Sequence, residues 1–160
     1  MNESLPHLDA QGQARMVDVS GKDVTAREAT ATATLRMSPE TAELLGQGRL
    51  PKGDALAVAR VAGIMAAKRT STLIPLCHPI ALTSTAVDIE VDAAAGTATV
   101  TVTVATRERT GVEMEALVAA GVSAFALYDM VKGIERGASV ENVAVIAKSG
   151  GRSGTWTRPS

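Results

Sequence analysis

Between Thr110 and Lys132 the chain runs TGVEMEALVAAGVSAFALYDMVK. From Ala116 to Met130 only Ser123, Tyr128 and Asp129 carry polar side chains. A segment that is apolar on nearly every side predicts one long helix, buried around most of its circumference. The rest of the chain has to be built to cover it. Thr110 and Glu113 fit a capping box at its start, and Gly133 fits a C-terminal stop. Its charges sit at the two ends. Glu115 and Asp129 lie about 40° apart around the axis but about 21 Å apart along it, too far for one metabolite to touch both easily within one chain. Asp129 and Lys132 are i,i+3 neighbours and can meet, whereas Glu113 projects nearly opposite Asp129. Unused charges on a buried helix are costly. Asp129 and Lys132 are therefore either a structural ion pair or a working one, and the helix alone leaves both open.

The flanking segments supply the cover. Residues 26–37 alternate, with Ala29, Ala31, Ala33 and Leu35 on one side and Thr30, Thr32, Thr34 and Arg36 on the other. That pattern predicts a strand with one wet face. Ser38-Pro39-Glu40 opens a short helix ending by Gly46 or Gly48. Gly53-Asp54 opens a second, which runs to near Thr70. On it Ala55, Ala59, Gly63 and Ala67 form a smooth stripe that lets another element approach closely. Pro75 and Pro79 prevent STLIPLCHPI from being helical throughout. Residues 80–92 and 97–106 are alternating strands joined by AAAG, a hairpin-length connection, and residues 140–147 form a last strand. The order is that of an α+β, ferredoxin-like βαββαβ sandwich: an antiparallel sheet with helices on one face. One catalytic domain is expected over residues 16–154, between a flexible N-terminal tail at 1–15 and a flexible C-terminal tail at 155–160. His7 falls in the first tail and is expected to be a mobile surface histidine.

Composition narrows the class. Aromatics make up only 2% of the chain, so its apolar mass is mostly Ala and Val. Small side chains bury little area each, which favours close helix packing and subunit association. The net charge of −1 gives no field that favours nucleic acid or membrane. A single cysteine, Cys77, excludes an internal disulfide framework. The first 20 residues lack a signal-peptide pattern, and a cytoplasmic protein is expected.

The chemistry-bearing positions cluster at element ends. Lys52, Lys68, Lys132 and Lys148 all lie there, and their convergence would make an anion site in a nearly neutral protein. KSGGRSG lacks P-loop order, although its backbone N–H groups could still hold phosphate. One Cys and one well-placed His, His78, supply no metal-ligand pair, and adjacent Cys77 and His78 are poorly arranged as nucleophile and base. No metal or cofactor is expected.

KRTSTLIPLCHP, TGVEMEAL, YDMVK and AKSGG are long, ordered and specific. With their flanks, from about Met16 to Gly154, they resemble the cyclic pyranopterin monophosphate synthases, the molybdenum cofactor biosynthesis protein C family. The resemblance implies a ferredoxin-like fold and a homohexamer, a trimer of dimers with sites at the dimer interfaces. It implies a lyase of the phosphorus–oxygen type. The substrate would be (8S)-3′,8-cyclo-7,8-dihydroguanosine 5′-triphosphate, supplied by a radical GTP cyclase, and the products cyclic pyranopterin monophosphate and diphosphate. Carried onto this sequence, the family's residues imply Asp129, Lys132 and Lys52 as catalytic. They imply Lys68, Leu76, Cys77, His78, Glu113, Met114, Glu115 and Lys148 as substrate-binding. Two departures stand out. Gly121 sits mid-helix where Ser is expected and is read as permitting a close contact, and Phe125-Ala126 is read as repacking the core.

Overall fold

The computed structural model describes residues 8–9 and 11–159, so His7 lies outside it. Strand β1, Thr25–Arg36, is the axis of the sheet. Ala29, Ala31, Ala33 and Leu35 are buried on one face of it. In antiparallel register on β3, Thr97–Glu108, they lie opposite Val104, Val102, Val100 and Ala98. The long helix α4, Glu113–Val131, rests on this face with Ala116, Ala119, Ala120 and Ala124 fully buried. Small residues on both surfaces bring the helix close, which is how an aromatic-poor chain reaches interior packing density. By length and composition α4 could cross a bilayer. Here it packs on β1, β3 and β4 (Ser139–Ser149) and alongside α2 (Ala55–Lys68).

The strand order is β2-β3-β1-β4-β5, with β2 spanning Leu82–Asp92 and every pairing antiparallel. Elements β1 to β4 with α2 and α4 form the expected ferredoxin-like α+β sandwich. The other sheet face is threonine-rich, and Thr30 and Thr103 bond across it at 3.1 Å. The helical half also holds α1, Pro39–Gly46, and a single turn, α3, Thr70–Leu73.

Four expectations need correction. The sequence predicts a flexible tail over residues 155–160, yet Trp156–Thr157 form β5 against Ala147 and Lys148. Arg158 secures it, donating from its backbone N–H to Ile146 O and from Nε to Val145 O, both at 2.8 Å. An unpaired edge of β4 recruits this short strand, and two residues show no readable period. The capping box is also absent. Val112 is the N-cap of α4 and offers no side-chain bond. A side chain on Gly111 would overlap the Glu113 carboxylate, which folds back over that glycine. Phe125 is 57% exposed and so repacks no core. Finally, Gly121 permits no close contact, since a Cβ there would meet nothing nearer than Val143 Cγ1 at 3.8 Å.

Gly63 is the glycine that packing requires. Ser123, fully buried on α4, donates to the Ala59 carbonyl at 3.0 Å. A Cβ on Gly63 would overlap Ser123 Oγ and stand 3.2 Å from the Ala119 carbonyl oxygen. The two helix glycines should therefore respond oppositely to alanine. Gly121→Ala should stabilise by up to about 1 kcal/mol, the ordinary helix-propensity gain. Gly63→Ala should cost about 1–3 kcal/mol through overpacking. Urea unfolding midpoints that move in the same direction would contradict this packing.

The start of α1 holds a contact that local sequence does not show. Ser38 caps the helix, and Pro39 occupies its first turn. Glu135, 97 residues away, accepts from the Ser38 N–H at 3.0 Å and from its hydroxyl at 2.8 Å. The Thr41 hydroxyl and the Ser38 backbone hold the Glu135 carboxyl below the usual glutamate range.

Candidate active site

The two ends of α4 carry separate groups. At the C-terminal end Asp129 is clamped by two ammonium groups. Lys132 Nζ meets Oδ1 at 2.7 Å, and Lys52 Nζ meets Oδ2 at 3.1 Å. Lys52 also donates to the Asp129 carbonyl at 2.6 Å, satisfying one of the orphan acceptors of the last turn. Cations suit this end of the helix dipole. The hydrogen bond from Lys132, then that from Lys52, draws the Asp129 carboxyl below its ordinary range, and Asp129 raises the Lys132 ammonium in turn. At neutral pH the cluster is one carboxylate between two charged lysines. It is open to solvent, with the Asp129, Lys132 and Lys52 side chains 56%, 50% and 43% exposed.

At the N-terminal end lies a cleft of about 430 Å³. Leu76, Cys77, His78, Glu113, Met114 and Glu115 line it together with Val17, Val19, Lys22, Thr110 and Gly111. Pro75 and Pro79 present the 76–78 segment, and the first turn of α4 presents 113–115. Glu115 is only 4% exposed, and burial pushes its carboxyl up. Burial, and then the Glu115 charge, raises the Cys77 thiol. A thiol held protonated is a poor nucleophile or metal ligand. His78 Nε2 lies 2.7 Å from the Val17 carbonyl. A carbonyl only accepts, so Nε2 carries the hydrogen.

Lys148 joins this end through Glu113, at 3.2 Å, and donates to Ser153 Oγ at 3.0 Å. A second cleft of about 660 Å³ is lined by Gly21, Lys22, Asp23, Thr25, Arg27, Gly151, Arg152 and Ser153. Lys22 lines both clefts. The glycines of the KSGG turn are required here. Gly150 and Gly151 have φ of 89° and 68°. A Cβ on the first would overlap the Ala26 carbonyl, and one on the second the Arg27 guanidinium. Arg152 belongs to the KSGGRSG turn that the sequence marks as able to hold phosphate, whereas Lys22 and Arg27 are not among the residues expected from sequence. Arg27 sits inside an alternating strand pattern, and Lys22 in a turn with no periodicity.

Profile comparison decides the relationship: the MoaC family matches residues 16–151. The chain belongs to the MoaC family. It is similar to the cyclic pyranopterin monophosphate synthase of Thermomicrobium roseum, 53% identical over 96% of this chain and 93% of the relative. The synthase of that name from Chloroflexus aurantiacus is 52% identical over 99% and 97%. Cyclic pyranopterin monophosphate synthase 2 of Mycobacterium bovis is 54% identical over 96% and 91%. The MoaC match takes in both ends of α4, Lys22, Arg27 and the KSGG turn, while Arg152 and Ser153 lie just past it. Lys68 lines neither cleft and ends α2 on the exposed surface. Within one chain, then, the structure gathers most of the expected residues into two groups at opposite ends of one helix and leaves Lys68 apart.

Proposed function

We propose that this chain is a cyclic pyranopterin monophosphate synthase of molybdenum cofactor biosynthesis. It rearranges (8S)-3′,8-cyclo-7,8-dihydroguanosine 5′-triphosphate to cyclic pyranopterin monophosphate and releases diphosphate, a lyase reaction at phosphorus–oxygen bonds. The observation that carries the proposal is the full-length similarity to enzymes of that name, and the clefts are chemically suited to the reaction. Lys22, Arg27 and Arg152 border the second cleft and form a cationic floor for a triphosphate, beside which Lys148 stabilises the leaving diphosphate. The cleft of Glu115 and His78 takes the ring system. A buried carboxyl with a raised pKa holds its proton to a higher pH than an ordinary glutamate, and in that form it can donate a hydrogen bond, or the proton itself, to a ring oxygen or nitrogen.

Asp129, Lys132 and Lys52 serve the proton transfers. Asp129 is a weak base while both ammonium groups hold it. Substrate phosphate that draws one lysine away raises its basicity at the moment of use. Asp129 and Glu115 lie about 21 Å apart along α4, so one bound molecule meets both only across two chains. This supports a site shared between two subunits, and the assembly proposed for it is a homohexamer, a trimer of dimers with sites at the dimer interfaces. The exposed Val58, Val61 and Met65 on α2 supply apolar surface for such contacts. Lys68 enters the site from the partner in this arrangement.

Incubating the chain with the cyclised nucleotide tests the proposal. The expected result is equimolar diphosphate and a pterin that oxidises to a fluorescent product. Tight binding of the triphosphate without diphosphate release would mean a nucleotide-binding module instead.

A further inference from the structure

Residues 16–24 form no helix or strand, yet Val17 and Val19 wall the first cleft and Lys22 walls both. A segment outside regular structure keeps its shape only where other groups take up its backbone polar atoms. Locally it has one turn, with Lys22 N–H donating to Val19 O at 3.0 Å and Ser20 N–H to Asp18 Oδ1 at 2.8 Å. Two side chains from distant elements tie it to the body. His78 Nε2–H donates to the Val17 carbonyl at 2.7 Å. Arg109, just past the end of β3, donates from Nε to the Lys22 carbonyl at 2.9 Å. Arg109 is itself fixed, since the Arg27 guanidinium donates to its carbonyl at 3.2 Å and to Glu108 O at 2.9 Å. Arg27 in turn lies against Gly151. Gly151, Arg27 and Lys22 line the second cleft, and Arg109 links Arg27 to Lys22 behind them.

We infer that Arg109 is a positioning residue for substrate binding: it acts through the Lys22 carbonyl to seat residues 17–22 as the shared wall of the two clefts. His78 is the second clasp of the same segment, so its Nε2 serves the Val17 carbonyl and only Nδ1 is left for a ligand. Arg109 contributes to affinity, because the group it places is the cation that reaches both clefts. It lies outside the Asp129 cluster and leaves the chemical step alone. The inference rests on the proposed synthase reaction only for its kinetic arm.

The test uses Arg109→Ala and Arg109→Lys in the full chain. Amide hydrogen exchange on the free protein should quicken about tenfold in Arg109→Ala at Ser20 and Lys22, the hydrogen-bonded amides of residues 17–22, the effect of losing one charge-assisted hydrogen bond. Arg109→Lys, which can still donate to that carbonyl, should restore most of the protection. With the cyclised nucleotide, KM should rise about tenfold in Arg109→Ala while kcat stays within about twofold. Parental exchange at Ser20 and Lys22 in Arg109→Ala would overturn the assignment, as would a fall in kcat at unchanged KM. Quickened exchange in a chain whose parent releases no diphosphate would leave the clasp standing and remove the synthase function instead.

Discussion

Asp129→Asn should leave the chain folded and assembled while slowing diphosphate release by about 10²–10⁴-fold, the range for a lost general acid–base. The amide keeps the carboxylate's shape and its one oxygen can still accept from one of the two lysines, while Lys52 keeps its bond to the Asp129 carbonyl. It cannot take up or return a proton near neutral pH. A buried ion pair would forecast something different, because an unpaired buried lysine is strongly destabilising. The cluster is half exposed, and exposed pairs add little to stability. The depressed Asp129 pKa gives the sign of the residual effect. The contribution of the pair is present above the ordinary aspartate pKa and fades as pH falls through the lowered folded value. Thermal midpoints of parent and Asp129→Asn should therefore nearly coincide at neutral pH. A large drop in midpoint, with activity falling only as folded protein is lost, would make the cluster structural.

Glu115→Gln should slow turnover by about 10²-fold or more, the range for a lost general acid–base, because the amide can still donate a hydrogen bond but cannot give up a proton, and it should gain stability. Burial raises the Glu115 carboxyl. The folded state thus disfavours the ionised form, and ionisation costs stability once pH rises above the unfolded-state value. A neutral amide of the same shape avoids that cost. The stabilisation should be present at neutral pH and disappear below the ordinary glutamate pKa, where both states hold a protonated carboxyl. Denaturation at acid and neutral pH, with kcat/KM for the cyclised nucleotide, measures both arms. A variant less stable than the parent at neutral pH would contradict the buried, raised carboxyl.

The sheet and the long helix were legible because period two and an uninterrupted apolar run are local signals. Ala29 to Leu35 and Ala116 to Met130 announce their own burial. The small-residue stripe on α2 was legible too, and Gly63 against Ser123 gives it a physical reason. What escaped depends on groups far apart in sequence. Glu135 at the start of α1 and Arg158 along β4 cannot be seen from local spacing. Neither can Arg109 at the Lys22 carbonyl. The capping box is absent because the helix starts later than its pattern places it: with Val112 as N-cap, Glu113 is the first helical residue and pairs with Lys148. Gly121 is not legible from sequence, because a mid-helix glycine looks the same whether or not a neighbour presses on it.

Subunit mixing tests the composite site most directly. Asp129→Asn and Glu115→Gln chains, each nearly inactive alone, would be unfolded together and reassembled. If each site takes Asp129 from one chain and Glu115 from its partner across a two-fold interface, half of random dimers are mixed, and each mixed dimer rebuilds one intact site. Diphosphate release should then recover to about one quarter of the parental rate. Mixed assemblies verified by native mass spectrometry that stay at the sum of the two variants would contradict a site shared between subunits.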